Sequence, residues 1–143
     1  MRTGVGHLTR NIKIVAGNDT TWGFTLIQFG YSATIDNATV INTGKMTLSG
    51  VEFINGGQYD TEEAALQIFN VRAKTERTTI TKSSFHECQD FCMKLNNIYD
   101  VSITNNVFFS ARKYHVLALK TFFFNFTDNL MIGVTKRPTM VFN

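Results

Sequence analysis

Two short segments carry most of the side chains able to move a proton or grip a charge, "HECQD" at residues 86–90 and "ARKYH" at 111–115. Offset by 23 residues, they place Arg112 over Gln89, Lys113 over Asp90 and His115 over Cys92, with His86, Glu87 and Lys94 nearby. A face of that composition suits a shallow anionic-glycan site. Arg112 and Lys113 would grip carboxylates, and His86 or His115 would carry a proton. The competing account of the same residues is an exposed ion pair between Asp90 and Lys113, with no ligand at all. Cys88 and Cys92 are the only cysteines and have neither a C-x-x-C pairing nor a His at zinc spacing, so neither metal nor cofactor is expected. They either close a local disulfide in an oxidising compartment or remain buried thiols. His7 and Trp22 have no constellation around them.

The offset of 23 is a property of the chain and not of two segments. Ile80 and Phe85 recur as Ile103 and Phe108, then as Phe126 and Met131, while Leu48 and Phe53 open the series one period plus nine residues earlier. Short β-branched and aromatic runs at a fixed period in the twenties, without helical periodicity, predict a solenoid with one coil per repeat. The expectation is therefore all-β, a right-handed parallel β-helix of about 23 residues per coil, with about six coils fitting the length. In each coil Val101 and Ile103, or their equivalents, point inward, Asn105 and Asn106 turn the chain, and Phe108 returns to the core. Stacking then makes a turn column of Val51, Ser83, Asn106 and Asn129. Asn106 and Asn129 would hydrogen-bond along it, or serve simply as turn formers.

A second strand per coil is expected in "ALQIFNV", "CMKLNNI" and "HVLALKT", with inward pairs Leu66 and Ile68, Met93 and Leu95, Val116 and Ala118. "NIKIVAG", "FTLIQFG" and "ATIDNATVIN" supply further strands. The nine extra residues fall in "INGGQYDTEEAA", an excursion that either carries a partner contact or has no role, and "VRAKTER" forms a smaller one. "KTFFFNF" divides between core and neighbours rather than forming a binding stripe.

Composition sets outer limits. At 143 residues with 13 Phe and 43% apolar content, a single domain covering 1–143 can bury a sizeable core. Lysine and arginine exceed acids by 14 to 11 without forming a basic stripe, so nucleic acid is not an expected partner. No apolar run is long enough to span a membrane, and "MRTGVGHLTR" lacks the apolar centre of a signal peptide. Sequons at Asn18, Asn37 and Asn125 would be glycan acceptors in a secreted protein. Unpaired strand edges at the two ends point to a segment of a longer protein or to ends covered by neighbours.

"GVGHLTRNIKIVAG", "WGFTLIQFG", "VEFINGGQ" and "SSFHECQDFCMKLNNIYDVSITNNVFF" together resemble the parallel β-helix region of fibrocystin and fibrocystin-like proteins and of the related cell-surface hyaluronidases. The resemblance runs from Val5 to about Val134, with "LTRNI" and the His86-Glu87 step its most specific parts. It implies one module of an extracellular, membrane-anchored glycoprotein at the cell surface or ciliary membrane. Its partners would be other domains of the same longer chain and protein or glycan ligands, with membrane contact only through parts absent from this chain. The hyaluronidase branch resembles a His pair after the Gly-Gln turn. Gln67 and Phe69 stand at those places here, and neither can ligate a metal or shuttle a proton. The expected function is a non-catalytic structural or ligand-presenting module. The alternatives are a carbohydrate-active protein binding or cleaving an acidic glycosaminoglycan, and an assembly subunit that stacks with other chains through its edges.

Overall fold

The computed structural model describes residues 9–17, 21–42, 44–72, 77–134 and 140–142. It is all-β. The strands in chain order are β1 (Ile12–Val15), β2 (Leu26–Phe29), β3 (Tyr31–Ile35), β4 (Ala38–Asn42), β5 (Thr47–Ser49), β6 (Val51–Ile54) and β7 (Leu66–Phe69). They continue as β8 (Thr78–Thr81), β9 (Ser84–Cys88), β10 (Met93–Thr104), β11 (Val107–Ala111), β12 (Val116–Thr127), β13 (Leu130–Val134) and β14 (Met140–Phe142). One parallel sheet runs β1-β6-β9-β11-β13, and a second runs β14-β12-β10-β7-β2, with β8 pairing both β10 and β5.

The expected right-handed parallel β-helix is overturned. Parallel and antiparallel sheets are mixed and part of the structure is a half-barrel, so no uniform solenoid runs along the chain. Two local causes are visible. First, "ATIDNATVIN" is no stacking strand. Asp36 and Asn37 both take left-handed φ, 50° and 61°, and form a two-residue loop, so β3 and β4 pair antiparallel with each other. A two-residue loop with both φ positive has the twist that suits a hairpin, so the chain returns on itself instead of continuing into a neighbouring row. Second, β10 and β12 are each 12 residues long and join what were expected as two separate strands. Left-handed residues inside them, Asn97 and Asp100 in β10 and Lys120 and Phe123 in β12, bend the chain without ending the ladder.

Within the parallel sheets the register follows the apolar columns. Ile80 pairs with Ile103 and Ile103 with Phe126. Phe85 pairs with Phe108 and Phe108 with Met131, while Phe53 pairs with Phe85. Like side chains one strand spacing apart then stack: ring centroids lie 4.5 Å apart for Phe53 and Phe85 and 5.1 Å apart for Phe85 and Phe108. Leu66, Met93 and Val116 make the opposite wall, and Ile68, Leu95 and Ala118 lie beside them, all buried.

Backbone sign repeats as strictly as side-chain type. Left-handed residues recur at Gly50, Lys82, Asn105 and Asp128, and again at Asn55, Glu87, Ser110 and Gly133. Each marks where one strand gives way to the next or where an outward side chain is set. Only Gly adopts this conformation without cost and Asn or Asp tolerate it, so Lys82, Glu87 and Ser110 are held there by their neighbours in the ladder.

The turn column is hydrogen-bonded throughout. Asn129 Oδ1 accepts from the Asn106 backbone N–H at 2.9 Å and from Asn106 Nδ2 at 3.0 Å. Asn106 Oδ1 accepts from the Ser83 N–H at 3.0 Å, and Ser83 Oγ accepts from the Val51 N–H at 3.2 Å. The amide nitrogens reach back to carbonyls of the preceding row, Asn106 to Ile80 and Asn129 to Ile103. Buried Asn106 and half-buried Asn129 thereby each satisfy both donor and acceptor sides, as a polar group shielded from water requires.

Candidate functional site

The side chains singled out for chemistry do not form one face. Asp90, Lys94, Arg112 and Lys113 gather on one surface, Glu87 lies beside it, His86 points to a different neighbour, and His115 is in the core.

The gathering depends on the turn from β9 to β10. Cys88 ends β9, Cys92 precedes β10, and a disulfide joins them with Cα atoms 5.2 Å apart. Gln89, Asp90 and Phe91 are presented on the stapled loop. Asp90 is 1% exposed, so its ion pair with Lys113 at 3.1 Å is not the exposed pair expected from the sequence; only the lysine reaches solvent. The same carboxylate oxygen, Oδ2, accepts from the Glu62 backbone N–H at 3.1 Å. Its other oxygen, Oδ1, has no partner among the described residues. Phe91 stacks on Tyr114, its counterpart one row along, with centroids 5.4 Å apart, and Lys113 and Lys94 lie over the Phe91 ring at 5.3 Å and 6.0 Å.

The excursion expected between Phe53 and Leu66 folds over this surface. It holds part of the excess: Phe53 to Leu66 takes 13 steps where Phe85 to Met93 takes 8, and the remainder falls between β7 and β8. Gln58 bridges antiparallel to Trp22 and to Glu63. Tyr59 lies under the Arg112 guanidinium at 4.9 Å, Asp60 approaches Lys113 at 3.9 Å, and Lys94 contacts Glu62 at 3.4 Å. Glycines allow the approach. A side chain at Gly23 would lie 2.2 Å from the Asn55 carbonyl oxygen, and one at Gly56 would meet Ala65 Cβ at 2.5 Å. Gln67, at the place of an expected histidine, is buried and donates to the Glu63 carboxylate, while Phe69 closes β7 half-buried.

His86 and His115 belong to other surroundings. His86 Nε2 lies 2.9 Å from Glu52 Oε1 on the adjacent row, beneath Lys13, which reaches Glu52 at 3.2 Å. Burial raises the Glu52 pKa, but the Arg10 N–H, His86 and Lys13 outweigh it and hold the carboxyl below its ordinary value. The sequence reading missed this pair. Its signal was an acid inside the apolar "VEFI" run, where a buried carboxylate requires a partner. His115 is fully buried with its ring 6.2 Å from that of Phe108. Burial pushes its imidazole down to about 4, with the Ile132 backbone opposing part of the shift. A histidine sealed in the core cannot exchange protons with a bound polymer.

A shallow polar depression of about 210 Å³ lies beside the loop, lined by Asn55, Glu87, Cys88, Gln89, Ser110 and Arg112. Glu87 is exposed here because its left-handed backbone turns it outward. Gln89 donates to Asn55 Oδ1, and its own Oε1 has no partner among the described residues. No group of three or more His, Cys, Asp or Glu side chains placed to hold a metal occurs among the described residues.

Of the sequons, Asn37 is exposed at the tip of the β3–β4 hairpin. Asn125 is half-buried in β12 and donates to Ser102 Oγ at 3.3 Å, and Asn18 lies outside the described residues. No helix among the described residues is long and apolar enough to cross a membrane. No family model, curated protein or solved structure matches the chain.

Proposed function

We propose that the chain is a non-catalytic structural or ligand-presenting module of an extracellular surface glycoprotein, of the fibrocystin-like kind that its quoted segments resemble. The observation that carries this reading is how the reactive side chains are used. Asp90 is buried under Lys113 and the Glu62 backbone, His86 is tied to Glu52, and His115 is enclosed beside Phe108. General acid–base chemistry needs a titratable group within hydrogen-bond reach of the substrate. Here Asp90 and His86 join one row of the sheet to the next, and His115 is enclosed in the core. The Cys88–Cys92 disulfide supports an oxidising, extracellular setting, where such bonds persist. Of the two sequons among the described residues, exposed Asn37 is the better placed for a glycan.

Acidic-glycan binding is a second reading, favoured by the Arg112 guanidinium at the rim of the polar depression. One experiment separates the readings. The purified chain is incubated with hyaluronan and with chondroitin sulfate, with and without divalent metal, and polymer length is followed on gels while retention is measured on the immobilised polymers. Unchanged length is expected. Shortened polymer that persists in wild type and disappears in His86→Ala would overturn the non-catalytic reading. Retention lost in Arg112→Ala would establish the second.

A further inference from the structure

The antiparallel ribbon creates a site that the apolar columns gave no hint of. Between β3–β4 and the seven-stranded sheet lie two adjoining depressions, of about 570 Å³ and 390 Å³, which share Ile41, Arg72 and Asn97. The larger is walled by Phe29 and Tyr31, the smaller by Tyr99 and Phe122. Phe29, Tyr31, Ile41 and Phe122 are each between 54% and 59% exposed, an unusual outlay of large apolar surface around one trench. The trench crosses the rows of β2, β7, β10 and β12 in order, which at one strand spacing per row is about 14 Å. A flat body of two or three fused or linked rings is of that size.

Among the described residues one charge lines the trench: Arg72 is the sole ionisable lining residue other than the tyrosines, and no carboxylate among them lines either depression. Its Nη2 donates to Asn97 Oδ1 at 2.8 Å, and Asn97 Nδ2 donates to Asn70 Oδ1 at 2.8 Å. Asn70 and Asn97 occupy equivalent left-handed positions on neighbouring rows, φ 53° and 57°, which sets the amides in line. This relay fixes the guanidinium while leaving its remaining N–H donors without a partner among the described residues. A planar guanidinium held in place matches a carboxylate or sulfonate through two parallel hydrogen bonds. A wholly apolar occupant would strip water from that cation and return nothing. Nucleic acid would call for several cations along the trench rather than one.

We propose that this trench binds an amphipathic organic anion, an aromatic or polycyclic apolar body carrying a single carboxylate or sulfonate, with the body between Tyr31, Phe29 and Phe122 and the anion on Arg72. The site is separate from the Asp90–Lys113 surface and does not depend on the function proposed above.

The test uses two fluorescent probes of similar shape, anilinonaphthalene sulfonate and the uncharged phenylnaphthylamine, titrated into the whole chain at low and high salt. The sulfonate is expected to saturate one site and to weaken with salt. Arg72→Met should reduce its affinity about 10- to 100-fold, the range for a charge-assisted hydrogen-bonded contact, with the neutral probe unchanged. Tyr31→Ser should weaken both probes. Arg72→Gln repeats the charge test if the methionine variant alters the far-ultraviolet dichroism of the chain. Sulfonate binding equal in wild type and both Arg72 variants would overturn the proposal. So would equal loss of both probes in them.

Discussion

The stretch from Val51 to Ala118 and the stretch from Ile12 to Ile41 are built from similar residues and end differently. Among the described residues, every fully buried apolar side chain of the core lies in the first. In the second, Ile12, Val15, Trp22, Ile27, Phe29, Tyr31, Ile35, Val40 and Ile41 are all exposed. Apolar content is therefore not what separates them. Residues 51–118 repeat their columns in register, so inward side chains such as Phe85 and Ile103 meet apolar equivalents on both sides. Residues 12–42 lack a constant step and contain a two-residue loop; Ile14, Phe24 and Leu26 pack half-buried against the core, and the other large apolar groups line surfaces and a trench. Burial follows from register, because a side chain leaves water only when neighbours on several sides arrive together.

Substitution at the centre of each stretch tests this contrast most strongly. Phe85→Ala, in the middle of the ring stack, should lower unfolding stability by about 3–5 kcal/mol, whereas Phe29→Ala should change it by less than about 1 kcal/mol, both read from urea denaturation midpoints. Similar losses at the two sites would dissolve the distinction between a register-built core and an exposed apolar surface.

Acid should act on the first stretch through His115. Its folded value near 4 lies below the ordinary 6.5, so the unfolded chain binds a proton that the native chain excludes. Stability from this group is complete above about pH 6.5 and is lost as pH falls toward 4, amounting to about 3 kcal/mol. Thermal melts from pH 7 to pH 4 check it. His115→Leu should flatten that part of the profile, and an unaltered slope would place the titration elsewhere.

A third contrast concerns the turns. Asn106→Leu removes the acceptor for the Ser83 N–H and the donor to the Ile80 carbonyl, leaving buried polar groups unpaired, and should cost about 2–3 kcal/mol in the same denaturation assay. Stability equal to wild type would mean the ladder is incidental to the fold. The smallest effect belongs to the hairpin. Asn37→Gly meets the preference of the second left-handed loop position and should leave stability unchanged or raise it by up to about 0.5 kcal/mol, while raising amide protection in β3 and β4 on hydrogen exchange.

Much of the long-range pairing was legible because it is written as repetition. Ile80, Ile103 and Phe126, or Phe85 and Phe108, could be aligned by eye, and a constant step implies that equivalent residues meet. The hairpin was harder to see. "IDNATV" has the alternation of a strand, and Asp-Asn is a weaker loop signal than Asn-Gly, so a turn within it was read as punctuation. The expected anionic face failed for a related reason. A step of 23 tells which residues are neighbours but not which wall each side chain faces, so His115 could be placed over an inward Cys92 and still be counted in the charged face, though it is interior. Lys82 and Glu87 give no left-handed signal by type, and their conformation is imposed by the rows on either side.

By itself, then, the order of residues determined the strand content, the columns and the partners of Phe85, Ser83 and Asn106, since these follow from residue type at a repeated interval. Only the tertiary structure decided that β3 and β4 close on each other, that Glu52 reaches His86, that Cys88 and Cys92 join, and that Arg72 faces an aromatic trench. Each of these depends on the direction in which a side chain or turn points. Direction is set by backbone dihedrals that several packed rows fix together.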